Sequence, residues 1–300
     1  MFENQQQNQT NAYPPPTQSP NPPLVPPLYS RPKFKTLAWL LSTCLNLFKQ
    51  NAKSLILLTT IFVAAFFIFS IIAIGISLVT VWDSSSIQEV NQKFSSFISI
   101  GLPLIITYVI FILAQIITKL LFQASLILKI YNLGTKLSLK DIILKAFKKL
   151  LPFMLVKILT GLIASLPLIA LGLLYALATP REVLTNETAV IALGVLTLLS
   201  LGCLFWMSIK LFPAPYLVLI ENQKIIQALE NSWRLTRGYW FAIFSKLVIF
   251  FLLLSLAAIL VNIIPLLGPL VALFIVPPLA ALFTFLVYEN LRLVKNIKIK

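Results

Sequence analysis

The chain has 300 residues, 59% of them hydrophobic and 11% charged, with a mean hydropathy of +0.93. Soluble domains carry roughly 25% charged residues, so this composition excludes a soluble enzyme, a disordered chain and a disulfide scaffold, and leaves an integral membrane protein. The formal net charge is +15; because the bases lie between apolar runs, they point to membrane topology and anionic lipid and away from nucleic acid.

Residues 1–32 hold nine of the 19 prolines, with Gln and Asn filling much of the rest. Such a segment cannot bury a core, and it reads as an extended or disordered cytoplasmic tail, with a Pro-rich docking peptide as the alternative. The first 30 residues carry no Lys or Arg and no apolar run, so no secretory signal is expected. Residues 33–296 form the membrane domain, and 297–300 are a basic C-terminus.

About 20 apolar residues cross a bilayer as a helix. Six segments meet that length: about Ser54–Trp82, Phe97–Thr118, Leu151–Ala178, Ala189–Ser208, Tyr239–Ile263 and Leu270–Tyr288. They must be helical, because a lone apolar segment in lipid satisfies its backbone only internally. The expected fold class is therefore an all-α integral membrane protein with six transmembrane helices.

Nineteen of the 24 Lys and Arg fall before span one, between spans two and three, between spans four and five, and after span six. The opposite side has only Lys93 and Arg181. This bias places both termini in the cytoplasm. Lys119, Lys157 and Lys246 remain within or at the ends of spans. Lys119 is read as ending span two, while Lys157 and Lys246 lie about two turns into spans that start inside, so all three can snorkel to the cytoplasmic face. The alternative is functional, since an ionisable group inside a membrane is a site by default.

A short pattern precedes every second span: Leu41-Ser-Thr-Cys-Leu-Asn-Leu-Phe-Lys49, Ile142-Ile-Leu-Lys-Ala-Phe-Lys-Lys149 and Ala228-Leu-Glu-Asn-Ser-Trp-Arg234. Each pairs an aromatic with a base just before the chain enters the membrane. The unit reads as a short amphipathic interfacial helix followed by a two-span hairpin, occurring three times. Such helices either brace the spans or build a basic headgroup site at the inner leaflet. The candidate headgroup residues are Lys49, Lys53, Lys148, Lys149, Arg234 and Arg237, with Trp233 and Trp240 as aromatic anchors.

A second candidate set would line a path through the bundle. Gln115, Lys119 and Gln123 share one helix face at i, i+4, i+8, either lining a polar groove or bonding neighbouring helices. Lys157, Lys246 and the Pro277-Pro278 pair join them, the prolines being expected to interrupt span six at mid-depth. Pro213 and Pro215 should break the helix after span four, and Pro265 and Pro269 should bracket a tight outer turn.

Catalysis lacks parts. The chain has no His, nine Gly, no paired carboxylates and no phosphate-binding Gly loop. Neither Cys44 nor Cys203 sits in a CxxC motif, and the topology argues against a disulfide between them. No enzyme activity, cofactor or metal is expected. The sequon Asn186-Glu-Thr188 lies in an outer loop.

The segment Ala214-Pro-Tyr-Leu-Val-Leu-Ile-Glu221, followed by Ala228-Leu-Glu-Asn-Ser-Trp-Arg-Leu-Thr-Arg-Gly-Tyr-Trp240, resembles the membrane domain of bacterial glycerophosphoryl diester phosphodiesterases and related six-span inner-membrane proteins. The entry Asn46-Leu-Phe-Lys-Gln-Asn51 is similar too, and the resemblance spans about residues 36–296. It implies six spans and a bacterial cytoplasmic-membrane location. It does not carry over the phosphodiesterase chemistry, which in that family belongs to a separate domain with His and acidic residues. The expected function is a non-enzymatic module organising anionic lipids or partner proteins at the cytoplasmic leaflet. A small-solute or lipid transporter is the alternative.

Overall fold

The computed structural model describes residues 34–85, 93–135, 137–178, 187–265 and 267–295. The Pro-rich segment 1–32, residue Asn186 of the sequon and the basic C-terminus 297–300 lie outside them. The described residues form helices and turns, with no strand among them. In chain order the helices are α1 (Leu37–Ser85), α2 (Lys93–Tyr131), α3 (Leu139–Lys148), α4 (Leu150–Ala178), α5 (Glu187–Leu211), α6 (Ala214–Glu221), α7 (Ile225–Thr236), α8 (Trp240–Asn262) and α9 (Leu267–Lys295). Six stretches are long and apolar enough to cross a membrane: Leu37–Val79, Ile105–Tyr131, Leu150–Ala176, Val190–Glu221, Trp240–Asn262 and Gly268–Lys295.

Local chemistry explains the short elements. Ser138 caps α3: its Oγ accepts from the Asp141 N–H at 3.2 Å and donates to the Asp141 carboxylate at 2.7 Å. Pro213 stands between α5 and α6 as the N-cap of α6, and Pro215 sits in the first turn of α6, where a missing N–H is tolerated. Asn222 then ends α6 in the left-handed region (φ +55°), which Asn tolerates, and the Gln223 N–H bonds back to the Leu217 carbonyl. Between α7 and α8 the chain turns through Gly238 at φ +86°.

Three expectations from sequence are corrected. Residues 41–49 are not a separate interfacial helix. They are the start of α1, which runs unbroken because no Pro and only Gly75 interrupts residues 37–85. Its 49 residues span about 73 Å at 1.5 Å per residue, over twice the ~30 Å of a hydrocarbon core. Lys119 does not end its helix, for α2 continues twelve residues to Tyr131, about 18 Å further. Pro277 and Pro278 do not interrupt span six: both lie inside α9, which continues to Lys295. Neighbouring helices tolerate the lost backbone bonds of a proline in an apolar helix, as they do for Pro167 in α4.

Helix α1 packs on α2 and α9, α4 on α5, and α8 on α9. Burial is concentrated at one end of this bundle. The core draws on Leu40–Phe62 of α1, Ala124–Ile130 of α2, Phe153 and Val156 of α4, nearly all of α6, and Leu282–Leu291 of α9. Phe250 stacks on Phe283 there with ring centroids 3.8 Å apart. The other end is apolar but exposed: Ile68–Val79, Ile105–Leu113, Leu166–Tyr175, Val190–Leu199 and Leu252–Ile264 all carry large exposed side chains. A contiguous exposed apolar girdle of this size belongs in lipid.

Candidate functional site

The packed end is tied together by a charge network that sequence reading missed. Glu221, the last residue of α6, accepts a hydrogen bond from the buried Tyr288 hydroxyl at 2.7 Å. Arg292, one turn further along α9, lies 3.4 Å from the same oxygen and pairs with Glu289 at 3.2 Å. The second Glu221 oxygen accepts from the Gln223 amide at 3.1 Å, and Asn231 of α7 donates to Gln223 at 3.0 Å. Tyr216 of α6 stacks on Tyr288 at 4.9 Å and 14°, and donates to Thr284 at 2.9 Å. Two of the few acids in an apolar chain thus lock α6 and α7 onto α9. A signal was present: Glu289 and Arg292 stand at i, i+3 near the end of a mostly apolar helix.

A second cluster surrounds Lys210 at the end of α5. Its ammonium lies 5.6 Å from the Trp206 ring and 5.4 Å from the Trp233 ring, and the two indoles meet edge to face at 5.2 Å. The Lys210 carbonyl accepts from the buried Ser232 hydroxyl at 2.8 Å. Ser232, Trp233 and Thr236 therefore clamp α7 against α5.

The candidate headgroup residues divide. Lys49, Lys53, Lys148, Arg234 and Arg237 are exposed. Lys149 turns inward and donates to the Leu219 carbonyl at 2.8 Å. Burial, aided by the charge of nearby Lys145, pushes the Lys149 pKa below its ordinary value. Trp240 is half-buried and stacks on Phe244 at 5.3 Å and 4°. Its indole N–H is buried with no partner among the described residues.

The path residues divide as well. A cavity of about 840 Å³ opens between α2, α4, α5, α6, α8 and α9. Lys119, Gln123, Lys157 and Pro277 line it, with Thr160, Tyr216 and Thr284 among the other polar walls. An adjoining apolar cavity of about 390 Å³ lies between α1, α2 and α9, and Gln115, Lys119, Phe122 and Pro277 line it. Lys119, Phe122 and Pro277 are common to both cavities. Pro278 is buried and lines neither. Lys246 is elsewhere, its ammonium 4.0 Å from the Phe34 ring centroid. The side-chain spacing at 115, 119 and 123 showed a shared face, but only the packing of α4 against α2 brings Lys157 to it.

Among the described residues, no group of three His, Cys, Asp or Glu side chains is placed to hold a metal ion. Cys44 is buried and Cys203 exposed, and both are free thiols.

The six apolar helices and their lipid-facing girdle define the class, a multi-pass helical membrane protein. No protein-family model, curated protein or solved structure matches the chain.

Proposed function

We propose that this is a non-enzymatic inner-membrane protein that organises anionic lipids, or a partner protein, at the cytoplasmic leaflet. The observation that carries this reading is the exposure of Lys49, Lys53, Lys148, Arg234 and Arg237 at the packed, polar end of the bundle, none of them ion-paired among the described residues. The distribution of Lys and Arg makes that end cytoplasmic. Each base near an anionic surface contributes about 1 kcal/mol.

In this reading α3 and α7 are interfacial helices. Helix α3 buries Ile142 and Ala146 while Leu144 and Phe147 stay exposed, and α7 buries Ala228, Ser232, Leu235 and Thr236 while Ile226 stays exposed. The sets α3–α4–α5 and α7–α8–α9 are then two copies of one unit, and α1–α2 a third in which the short helix has fused with its span. This arrangement also fits the resemblance carried by Ala214–Trp240.

The test is lipid enrichment around the protein in bilayers of phosphatidylcholine with a minor share of spin-labelled phosphatidylglycerol. The variant K49Q/K53Q/R234Q/R237Q should lower the enrichment of the anionic label several-fold. Unchanged enrichment refutes the reading. Transport is the second reading, favoured by the gathering of Gln115, Lys119, Lys157 and Pro277 around adjoining cavities. Under it, K119L abolishes the flip of fluorescent phosphatidylglycerol in proteoliposomes, and undiminished flip refutes that path.

A further inference from the structure

The two adjoining cavities sit at the level where the packed end gives way to the exposed apolar girdle. Their lining stretches 119–127 and 277–284 overlap the buried stretches Ala124–Ile130 and Leu282–Leu291, and 157–164 follows the buried Phe153–Val156; all three run toward the exposed stretches beyond. In a bilayer entered from the cytoplasm, that level is the inner-leaflet boundary between headgroups and chains.

The larger cavity carries an uncompensated charge. The exposed Lys119 and the half-buried Lys157 both line it, and no Asp or Glu does among the described residues. Neither donates a hydrogen bond to a protein oxygen among the described residues, and the Lys157 ammonium lies 5.8 Å from the Phe153 ring centroid. The hydroxyl donors around them are already used: Thr160 donates to the Lys157 carbonyl at 2.9 Å and Tyr216 to Thr284 at 2.9 Å. Gln123, Thr160, Ser208 and Thr284 offer the two ammonium groups neutral oxygens, but among the described residues no carboxylate lines the cavity to neutralise them. Two like charges in partly apolar surroundings are stabilised by an anion set between them.

The smaller cavity has the opposite character. Phe62, Val63, Phe66, Phe67, Ile116 and Leu273 wall it, and it meets the charged cavity along Lys119, Phe122 and Pro277. Thr59, Gln115, Thr118 and Lys119 are the polar side chains in its wall. Both amide atoms of Gln115 are buried with no partner among the described residues, and a buried unsatisfied amide costs free energy until something pairs with it.

From these observations we propose that the two cavities form one binding site for a phosphate-bearing lipid. Its phosphate lies between Lys119 and Lys157, and its acyl chain lies in the groove between α1, α2 and α9. Gln115 sits where a glycerol ester carbonyl can accept its amide N–H. The larger volume falls within the 300–1,000 Å³ of ordinary small-molecule sites, and charge complementarity selects an anionic headgroup over a zwitterionic one. This site is separate from the exposed bases at the packed end, and it stands whether or not the bound lipid moves across the membrane.

The experiment is native mass spectrometry of the full-length protein, delipidated in mild detergent and titrated with phosphatidylglycerol. The wild type should retain one phosphatidylglycerol after collisional activation, and K119Q/K157Q should lower that occupancy at least tenfold. Because a double charge removal can alter folding, G161L serves as an independent block. Gly161 lines the larger cavity, and a Cβ there meets no atom within 4 Å, so the side chain fills the site while the melting temperature holds. K119R/K157R, which keeps both charges, should retain the lipid. R234Q/R237Q should retain it too, which separates this site from the exposed headgroup set. The proposal is overturned if K119Q/K157Q holds phosphatidylglycerol as the wild type does, or if phosphatidylcholine is held equally well. Displacement of the lipid by millimolar inorganic phosphate alone overturns the lipid assignment in favour of a free-anion site.

Discussion

Replacing Tyr288 by Phe removes one hydroxyl from the junction of α6 and α9 and leaves the rest of the ring in place. The stack on Tyr216 at 4.9 Å persists, as does the contact with Phe285 at 6.3 Å. What is lost is a 2.7 Å hydrogen bond to the Glu221 carboxylate. Hydrogen bonds to charged groups contribute about 1.5–3 kcal/mol, whereas hydrogen bonds between membrane helices average about 0.6 kcal/mol because the unfolded helices find other partners. Here the acceptor is a charge at the packed end, but Glu221 keeps Arg292 at 3.4 Å and Gln223 at 3.1 Å. The lower part of the charged range applies, so Y288F should cost about 1.5 kcal/mol. E221Q loses the charge that both Tyr288 and Arg292 meet. The Arg292 part is small, because that side chain is 36% exposed and still pairs with Glu289, so the cost should be about 2 kcal/mol. Because E221Q leaves only a neutral amide oxygen to accept the bond that Y288F removes, the double variant should cost about 1 kcal/mol less than the sum. The assay is reversible unfolding in mixed micelles followed by the fluorescence of the five tryptophans. A Y288F cost below about 0.3 kcal/mol, or an additive cycle, refutes the claim that this network locks α6 to α9.

Two glycines and a lysine give further tests. A Cβ at Gly268 would overlap the backbone of Val261 and Asn262, so G268A should destabilise by about 1–3 kcal/mol. G238A forces Ala to φ +86° and should cost about 1–2 kcal/mol; both are read as shifts in the unfolding midpoint, and G161A, with open space around its Cβ, is the neutral control. Lys149 has a folded-state pKa below its unfolded one. Between those two values the unfolded chain binds more protons, so stability rises with pH across that alkaline window and this group contributes no slope below it. K149Q should remove that rise, and an unchanged pH profile would show that Lys149 is not desolvated where it meets Leu219.

The sequence by itself determined that the chain is a helical membrane protein with six segments long and apolar enough to cross. Long apolar runs in lipid have one way to satisfy their backbone, and that constraint acts within each segment. The prolines at 213 and 215 likewise marked where α5 stops, because a missing N–H is a local fact. Local signals misled where neighbouring helices decide the outcome. The entry segment 41–49 looked like a separate amphipathic helix but continues into α1, since nothing in residues 37–85 breaks a helix and packing on α9 rewards its extension. Pro277 and Pro278 looked like a break but sit within α9, held by the helices around them. The candidate site was half legible. Periodicity put Gln115, Lys119 and Gln123 on one face, yet pattern within one helix cannot say what lies opposite. The approach of α4 brings Lys157 to Lys119 and excludes Lys246. In the same way, only the docking of α6 on α9 pairs Glu221 with Tyr288, 67 residues away in the chain. Crossing the membrane is a property of each segment's own composition. Which charges meet is a property of how the segments pack, because a Coulomb or hydrogen-bond partner is chosen by distance in space.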